Sequence, residues 1–182
     1  MIPGTPVADG PDGADGADGL PPATPKQVLD ALVAAGATVA VAESLTGGLL
    51  TAALTDPPGA SNAVRGGLVV YATELKATLA GVPVPLLHAE GPVSPDVAGA
   101  LAAGARDRLG ATYGLGLTGV AGPDPQGGRP VGTVYVGLAG PGGGRVRQLT
   151  LSGDRAAIRA AAVDAALAEL LAAVARSAEL PA

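Results

Sequence analysis

The alternation of helical and strand-like apolar segments, which begins at Pro25, is the feature that most constrains how this chain folds. Apolar residues first recur at helical spacing, at Val28, Leu29, Leu32 and Val33. The run TVAVA that follows is typical of a buried strand, and VGTVYVGLAG and RVRQLTLSG form a predicted hairpin ahead of a long closing helix. Because helices that alternate with strands cover both faces of a sheet, the pattern predicts an α/β fold, a three-layer α/β/α sandwich with a mixed central sheet.

The middle of the chain contains the remaining predicted elements. GGLVVYA is predicted as a strand and TELKATLAG as a short helix. A proline-broken stretch follows, and SPDVAGALAAGARDRLG then reads as a helix with Ser94 as its N-cap and Pro95 as its first residue. YGLGLTG is predicted as the strand that precedes the hairpin.

The first 24 residues differ in composition from the rest. They are rich in Gly, Pro and Asp, with little to bury, so we predict a disordered N-terminal tail over residues 1–24 and one domain over residues 25–178. The Asp-Gly repeats suggest a calcium loop as an alternative. They lack flanking helices and a closing Glu in register, which favours a solvated linker.

Charge and composition argue against several classes of protein. The net charge is −5, and only 11 Lys and Arg are spread along 182 residues, so no basic stripe faces a nucleic-acid backbone. The chain has no cysteine, hence no disulfide, thiolate nucleophile or cysteine metal site. It shows no signal peptide and no apolar run near the ~20 residues that span a bilayer. We therefore expect a cytoplasmic protein that binds neither nucleic acid nor membrane.

Few residues in this chain can act as an acid or base near neutral pH. The single histidine, His88, lies in the proline-flanked stretch PLLHAEG, where we expect it to face solvent rather than to serve a Ser-His-Asp triad. Nine of the eleven basic residues are arginine, which leaves only Lys26 and Lys76. A buried lysine can lose its proton and accept one from a serine, which arginine cannot do.

Ser44 is the candidate nucleophile. It follows the first strand and precedes Thr46, Gly47 and Gly48 at the start of a helix. The free amides of a helix N-terminus, together with the helix dipole, can bind an oxyanion or a phosphate. The alternative is that Ser44 only caps the helix.

Lys76 is the candidate base for Ser44. It lies in YATELK, on the first turns of the helix that follows the second strand. Tyr71, at the end of that strand, is expected to lie beside the lysine and to relay a proton or hold the serine hydroxyl. Alone, Tyr71 would be interpreted as a core tyrosine.

Two further segments suggest ligand binding. In LTGVAGPDPQGGRPVGT a strand ends at Thr118 and Gly119, and the glycines that follow permit close approach of a ligand, although the segment is neither a P-loop nor a dinucleotide motif. In SGDR, Asp154 and Arg155 begin the last helix. Arg155 is either a phosphate clamp or one half of an ion pair with Asp154.

Five motifs occur in order between Thr24 and Ala175, namely AESLTGG, GGLVVYATELK, GPVS, TGVAGPDPQGGRPVGTVYVGLA and SGDR. Together they resemble the C-terminal domain of the CinA family of nicotinamide-nucleotide amidohydrolases. The resemblance implies an α/β/α fold and hydrolysis of nicotinamide mononucleotide to nicotinic acid mononucleotide and ammonia, a step of pyridine-nucleotide salvage. It implies no metal and no cofactor.

The resemblance also implies roles for individual residues. Ser44 would be the nucleophile, Lys76 its general base, Tyr71 an assisting hydroxyl and Arg155 the ligand of the substrate phosphate. The residues that would line the site are Thr46, Gly47, Gly48, Thr118 and Gly119.

The chain departs from the family pattern at two positions. Many relatives have Cys in place of Leu45 and Asn in place of Thr73. The change at Thr73 motivates an alternative function, a nucleotide-binding or regulatory module without turnover. We further expect a version of the domain without the N-terminal domain of longer relatives, and a homodimer or higher homo-oligomer because of its Ala- and Leu-rich surface.

Overall fold

The computed structural model describes residues 20–178 and contains a five-stranded mixed sheet. Its strands are β1 (Val39–Glu43), β2 (Val64–Val69), β3 (Tyr113–Gly119), β4 (Thr133–Gly140) and β5 (Gly143–Thr150). The spatial order is β2-β1-β3-β4-β5. β1 pairs with β2 and β3 in parallel, whereas β4 runs antiparallel to both β3 and β5. The predicted mixed sheet and C-terminal hairpin are confirmed.

Helices cover both faces of this sheet. They are α1 (Pro25–Ala34), α2 (Leu49–Thr55), α3 (Thr73–Thr78), α4 (Val84–Glu90), α5 (Pro95–Leu109) and α6 (Arg155–Ala178). Apolar residues of α1, α2 and α6 pack on one face, and those of α3, α4 and α5 pack on the other. The three-layer α/β/α sandwich is therefore confirmed. No helix within residues 20–178 is long and apolar enough to cross a membrane.

Helix caps explain where two of these helices begin. The Ser94 side chain accepts a hydrogen bond from the Val97 amide (3.2 Å), with Pro95 as the first residue of α5, as the sequence predicts. Thr24 caps α1 in a capping box with Gln27. Local sequence thus fixes both helix starts.

The structure differs from the sequence prediction in two elements. The proline-broken stretch contains α4, because Pro83 is its N-cap and Pro85 lies in its first turn, where proline costs no helical hydrogen bond. The strand predicted over GGLVVYA begins earlier and ends at Val69. Val70 still bonds to the sheet through its amide, which donates to the Glu43 carbonyl (2.8 Å), and Tyr71 has left the sheet.

Contacts with the core begin before α1. Ala23 is buried, and Leu20 packs against the cluster beneath α1, α2 and α6. The last residues of the predicted tail are thus in contact with the domain. The rest of that prediction, for residues 1–19, and the calcium alternative lie outside the described residues.

Close packing of α5 on the sheet depends on glycines in β3 and β4. A Cβ added to Gly116 or Gly137 would collide with the backbone carbonyl of Ala98 in α5. Neither glycine has a positive φ, so their absent side chain rather than their backbone freedom is what this contact requires. α5 therefore lies directly on the backbone of the sheet.

We expect Gly116→Ala to lower the free energy of unfolding by about 1–3 kcal/mol or more, because α5 must move away from β3 to accommodate the methyl group. Urea unfolding followed by circular dichroism measures the change. Gly142→Ala is the matched control, since an added Cβ there meets no atom within 4 Å. Equal stability of the two variants would contradict this account.

Candidate active site

Ser44 lies at the carboxyl end of the central strand. Its amide donates to the Leu117 carbonyl of β3 (3.0 Å), so the turn after β1 starts in a fixed position. Its side chain is 9% exposed and opens into a cleft of about 320 Å³. This is the edge at which open α/β sheets bind ligands.

Lys76 is buried behind Ser44. Its side chain is only 1% exposed. Nζ is 3.0 Å from Ser44 Oγ, 2.8 Å from the Val70 carbonyl and 3.4 Å from the Tyr71 carbonyl. The structure thus brings the two predicted catalytic residues into direct contact.

Burial makes Lys76 a suitable base. Loss of hydration lowers the pKa of Lys76 from 10.5 to about 8, and the nearby Glu74 carboxylate partly opposes this shift. A neutral amine has two N–H groups and one lone pair. When the carbonyls of Val70 and Tyr71 accept the two N–H groups, the lone pair is left to face Ser44 Oγ. The arrangement can therefore accept the serine proton.

The Tyr71 hydroxyl is engaged elsewhere. The Tyr71 side chain is 60% exposed, and its Oη accepts a hydrogen bond from Arg155 (3.1 Å). The tyrosine contacts Lys76 through its backbone carbonyl. The predicted hydroxyl contact with the serine and lysine is therefore corrected to a contact with Arg155, because Tyr71 follows the end of β2 and turns outward.

Arg155 lies at the rim of the cleft. It donates to the Gly122 carbonyl (2.7 Å) as well as to Tyr71, and so joins two walls of the cleft. Asp154 instead accepts from the Ala157 amide (2.8 Å) at the start of α6. The alternative of an Asp154–Arg155 ion pair is therefore not what the structure contains.

Glu43 takes up the helix amides that the sequence assigned to an oxyanion or phosphate. This carboxylate is fully buried and accepts from the amides of Gly48 (3.0 Å), Leu50 (3.1 Å) and Thr51 (2.8 Å) and from the Thr51 hydroxyl (2.6 Å). That expectation is therefore wrong. The sequence signal was an acidic residue at the end of a buried strand, directly before a helix start.

Four of the residues predicted to line the site instead build its support. Gly47 and Gly48 have positive φ and turn the chain into α2, and Thr46 is buried. Thr118 donates its hydroxyl to the Pro92 carbonyl (2.6 Å). Gly119 and Arg155 do line the cleft.

The loop after β3, which the sequence predicts as a ligand-binding segment, forms one wall of the cleft. The loop after β3 contributes Asp124 and Gln126 to the lining, and Thr73 faces the cleft from the start of α3. His88 is exposed on α4, as expected. The sequence indicates this loop through its glycines but does not single out Asp124 and Gln126, because an isolated acidic or amide residue in a Gly- and Pro-rich loop forms no recognisable pattern.

Comparison with known proteins places the chain among its relatives. Residues 23–174 match the family model of the CinA C-terminal domain. A CinA-like protein of Frankia casuarinae is 61% identical over 140 residues, which are 77% of this chain and 32% of that protein. A putative competence-damage inducible protein of Desulforamulus reducens is 48% identical over 136 residues, 75% of this chain and 33% of that protein. The chain spans about a third of the length of these curated relatives.

Solved structures show the same fold. A competence-damaged protein (CinA) superfamily protein from Klebsiella pneumoniae aligns with a TM-score of 0.81 at 30% identity, covering 84% of this chain and 96% of that one. The competence/damage inducible protein CihA from Agrobacterium tumefaciens aligns with a TM-score of 0.78 at 33% identity, covering 83% and 93%.

We expect the reaction of Ser44 with an alkyl fluorophosphonate to accelerate with pH around a midpoint near 8, the pKa of Lys76, because only the neutral amine accepts the serine proton. Glu74→Gln should move the midpoint to lower pH, since the Glu74 carboxylate raises this pKa. The labelling rate is measured by mass spectrometry across pH. Glu90→Gln, the same substitution on α4, should leave the midpoint in place. A midpoint that rises in Glu74→Gln would refute the assignment of Lys76 as base.

Proposed function

This chain belongs to the CinA C-terminal domain family, and we propose that it is a serine amidohydrolase that converts nicotinamide mononucleotide to nicotinic acid mononucleotide and ammonia. The observation that carries the proposal is the 3.0 Å contact between buried Lys76 and Ser44 at the floor of the cleft. A serine hydroxyl beside a lysine whose pKa is lowered has the arrangement of a nucleophile with its general base. The choice of substrate comes from the family resemblance of the motifs around these residues.

The proposed reaction begins with proton transfer from Ser44 Oγ to neutral Lys76. The serine oxygen forms a bond to the carboxamide carbon, and the electron pair of the C=O bond moves to the oxygen. Lys76 then returns the proton to the amide nitrogen, the oxyanion pair re-forms the C=O bond as the C–N bond breaks, and ammonia leaves an acyl-serine ester. Water attacks the acyl-serine ester with Lys76 again as base, which releases the carboxylate and restores Ser44.

Arg155 is the proposed ligand of the substrate phosphate. Its guanidinium is exposed at the rim and already held by the Gly122 carbonyl and Tyr71 Oη. These bonds use two of the five N–H donors of a guanidinium, so donors remain for a phosphate oxygen. A side chain held in advance loses less freedom when it binds.

A nucleotide-binding module without turnover is the competing function. The position of Lys76 favours the amidohydrolase over the binding module. A module that only binds a nucleotide at the rim of the cleft does not need a lysine buried against a serine at its floor. Desolvation of that charge is unfavourable and needs a compensating use.

Purified protein should release ammonia from nicotinamide mononucleotide in the presence of a chelator. Ser44→Ala should abolish release, and Lys76→Arg should do the same because a guanidinium keeps its proton. A coupled ammonia assay measures turnover, and calorimetry measures nucleotide binding to all three proteins. Binding by the wild type without ammonia release would instead support the module.

We expect Arg155→Ala to raise KM for nicotinamide mononucleotide roughly tenfold or more, through loss of a charge-assisted contact with the phosphate. Nicotinamide riboside carries the same carboxamide without the phosphate and serves as the control substrate. Steady-state kinetics on both compounds measures the difference. An equal loss on the two substrates would assign Arg155 to the cleft wall and not to the phosphate.

A further inference from the structure

The turn that carries Ser44 is held by an arginine of α6. Arg159, one helical turn after Arg155, donates from Nε to the Leu45 carbonyl (2.9 Å) and from a terminal nitrogen to the Thr46 carbonyl (2.9 Å). Gly47 lies against the same guanidinium, since a Cβ at Gly47 would be 3.3 Å from it. One side chain thus binds both carbonyls that follow the nucleophile.

These carbonyls belong to a β-turn whose central peptide has two possible orientations. The amide of Gly47 donates to the Ser44 carbonyl (3.1 Å) and closes the turn. The peptide between Leu45 and Thr46 can rotate while this bond stays intact, and the two orientations distinguish type I from type II turns. Type II needs a positive φ at Thr46, and no residue other than glycine has one among the described residues. Arg159 restrains the same peptide through its carbonyl.

Leu45 is the turn residue that follows Ser44 and lines the cleft. Thr46, by contrast, is fully buried and does not line it. Within residues 20–178, the amide of Leu45 has no protein acceptor. The bond from Arg159 to the Leu45 carbonyl therefore fixes the residue that carries this free N–H.

We propose that Arg159 is a positioning residue, which holds the Leu45 and Thr46 carbonyls so that the free N–H of Leu45, at the cleft beside Ser44, binds the oxyanion of the tetrahedral intermediate. This inference rests on the proposed function, because it assumes a carbonyl substrate for Ser44. The amides at the start of α2 are occupied by Glu43. The Leu45 amide next to the nucleophile takes the role that the helix amides would otherwise have.

Arg159→Ala tests this role, with Arg176→Ala as the matched control on the same helix. We expect kcat on nicotinamide mononucleotide to fall on the order of 100-fold, the cost of losing an oxyanion donor, with KM nearly unchanged. Added methylguanidinium should restore part of kcat, and methylammonium at the same concentration should not. Rescue by the fork-shaped cation alone separates positioning of the turn from general destabilisation.

A second readout keeps the inference independent of the substrate. An alkyl fluorophosphonate places a phosphoryl oxygen where the oxyanion forms, so labelling of Ser44 should slow in Arg159→Ala and recover with methylguanidinium. Unchanged kcat or labelling in Arg159→Ala, or a loss that methylguanidinium does not restore, overturns the inference while leaving a wild-type amidohydrolase intact. If the wild type releases no ammonia, only the proposed function is contradicted. The rate of fluorophosphonate labelling of Ser44 then tests the role of Arg159 by itself. If Arg159→Ala does not fold, Arg159→Lys is measured in the same way, since an ammonium cannot reproduce the two-carbonyl fork.

Discussion

The burial of one amine at the end of the central strand is the constraint on which the site depends. Lys76 can sit there because two backbone carbonyls and the Ser44 hydroxyl surround its Nζ. Those carbonyls become available because β2 ends at Val69, which leaves Val70 and Tyr71 free to turn towards α3. The same burial lowers the pKa of Lys76. Strand length, lysine burial and serine activation are therefore linked.

The last helix determines the shape of the cleft. Its first turns carry Arg155 and Arg159, which bind the chain at three places, after β1, after β2 and after β3. Further along, buried Glu169 forms ion pairs with Arg145 (2.8 Å) and Arg147 (3.2 Å) of β5. These pairs fix α6 against the antiparallel edge of the sheet. A helix anchored at one edge thus holds the walls of a cleft that opens at the ends of the parallel strands.

Local patterns in the sequence predict the layered fold and the pairing of Ser44 with Lys76. Periodicity places the strands and most helices, and the scarcity of lysine in an arginine-rich chain draws attention to Lys76. The roles of Glu43 and Arg159 were not predicted, for different reasons. Glu43 bonds to amides only five to eight residues away, and its place at the end of a buried strand directly before a helix start is the local signal that the prediction left unused. Arg159 bonds to residues more than a hundred positions earlier, a distance over which no local pattern carries information.

The two departures from the family pattern have different consequences in the structure. Leu45 is buried and packs into the core shared with α1, α2 and α6, so a change from Cys at this position is a change in packing. Thr73 lies at the cleft and is not among the three hydrogen-bond partners of Lys76 Nζ. A change from Asn at Thr73 therefore leaves the contacts of the lysine intact and alters the surface that faces the substrate. Under the proposed function, activation of the serine and selection of the substrate depend on separate residues, so a change at Thr73 can alter the second while keeping the first.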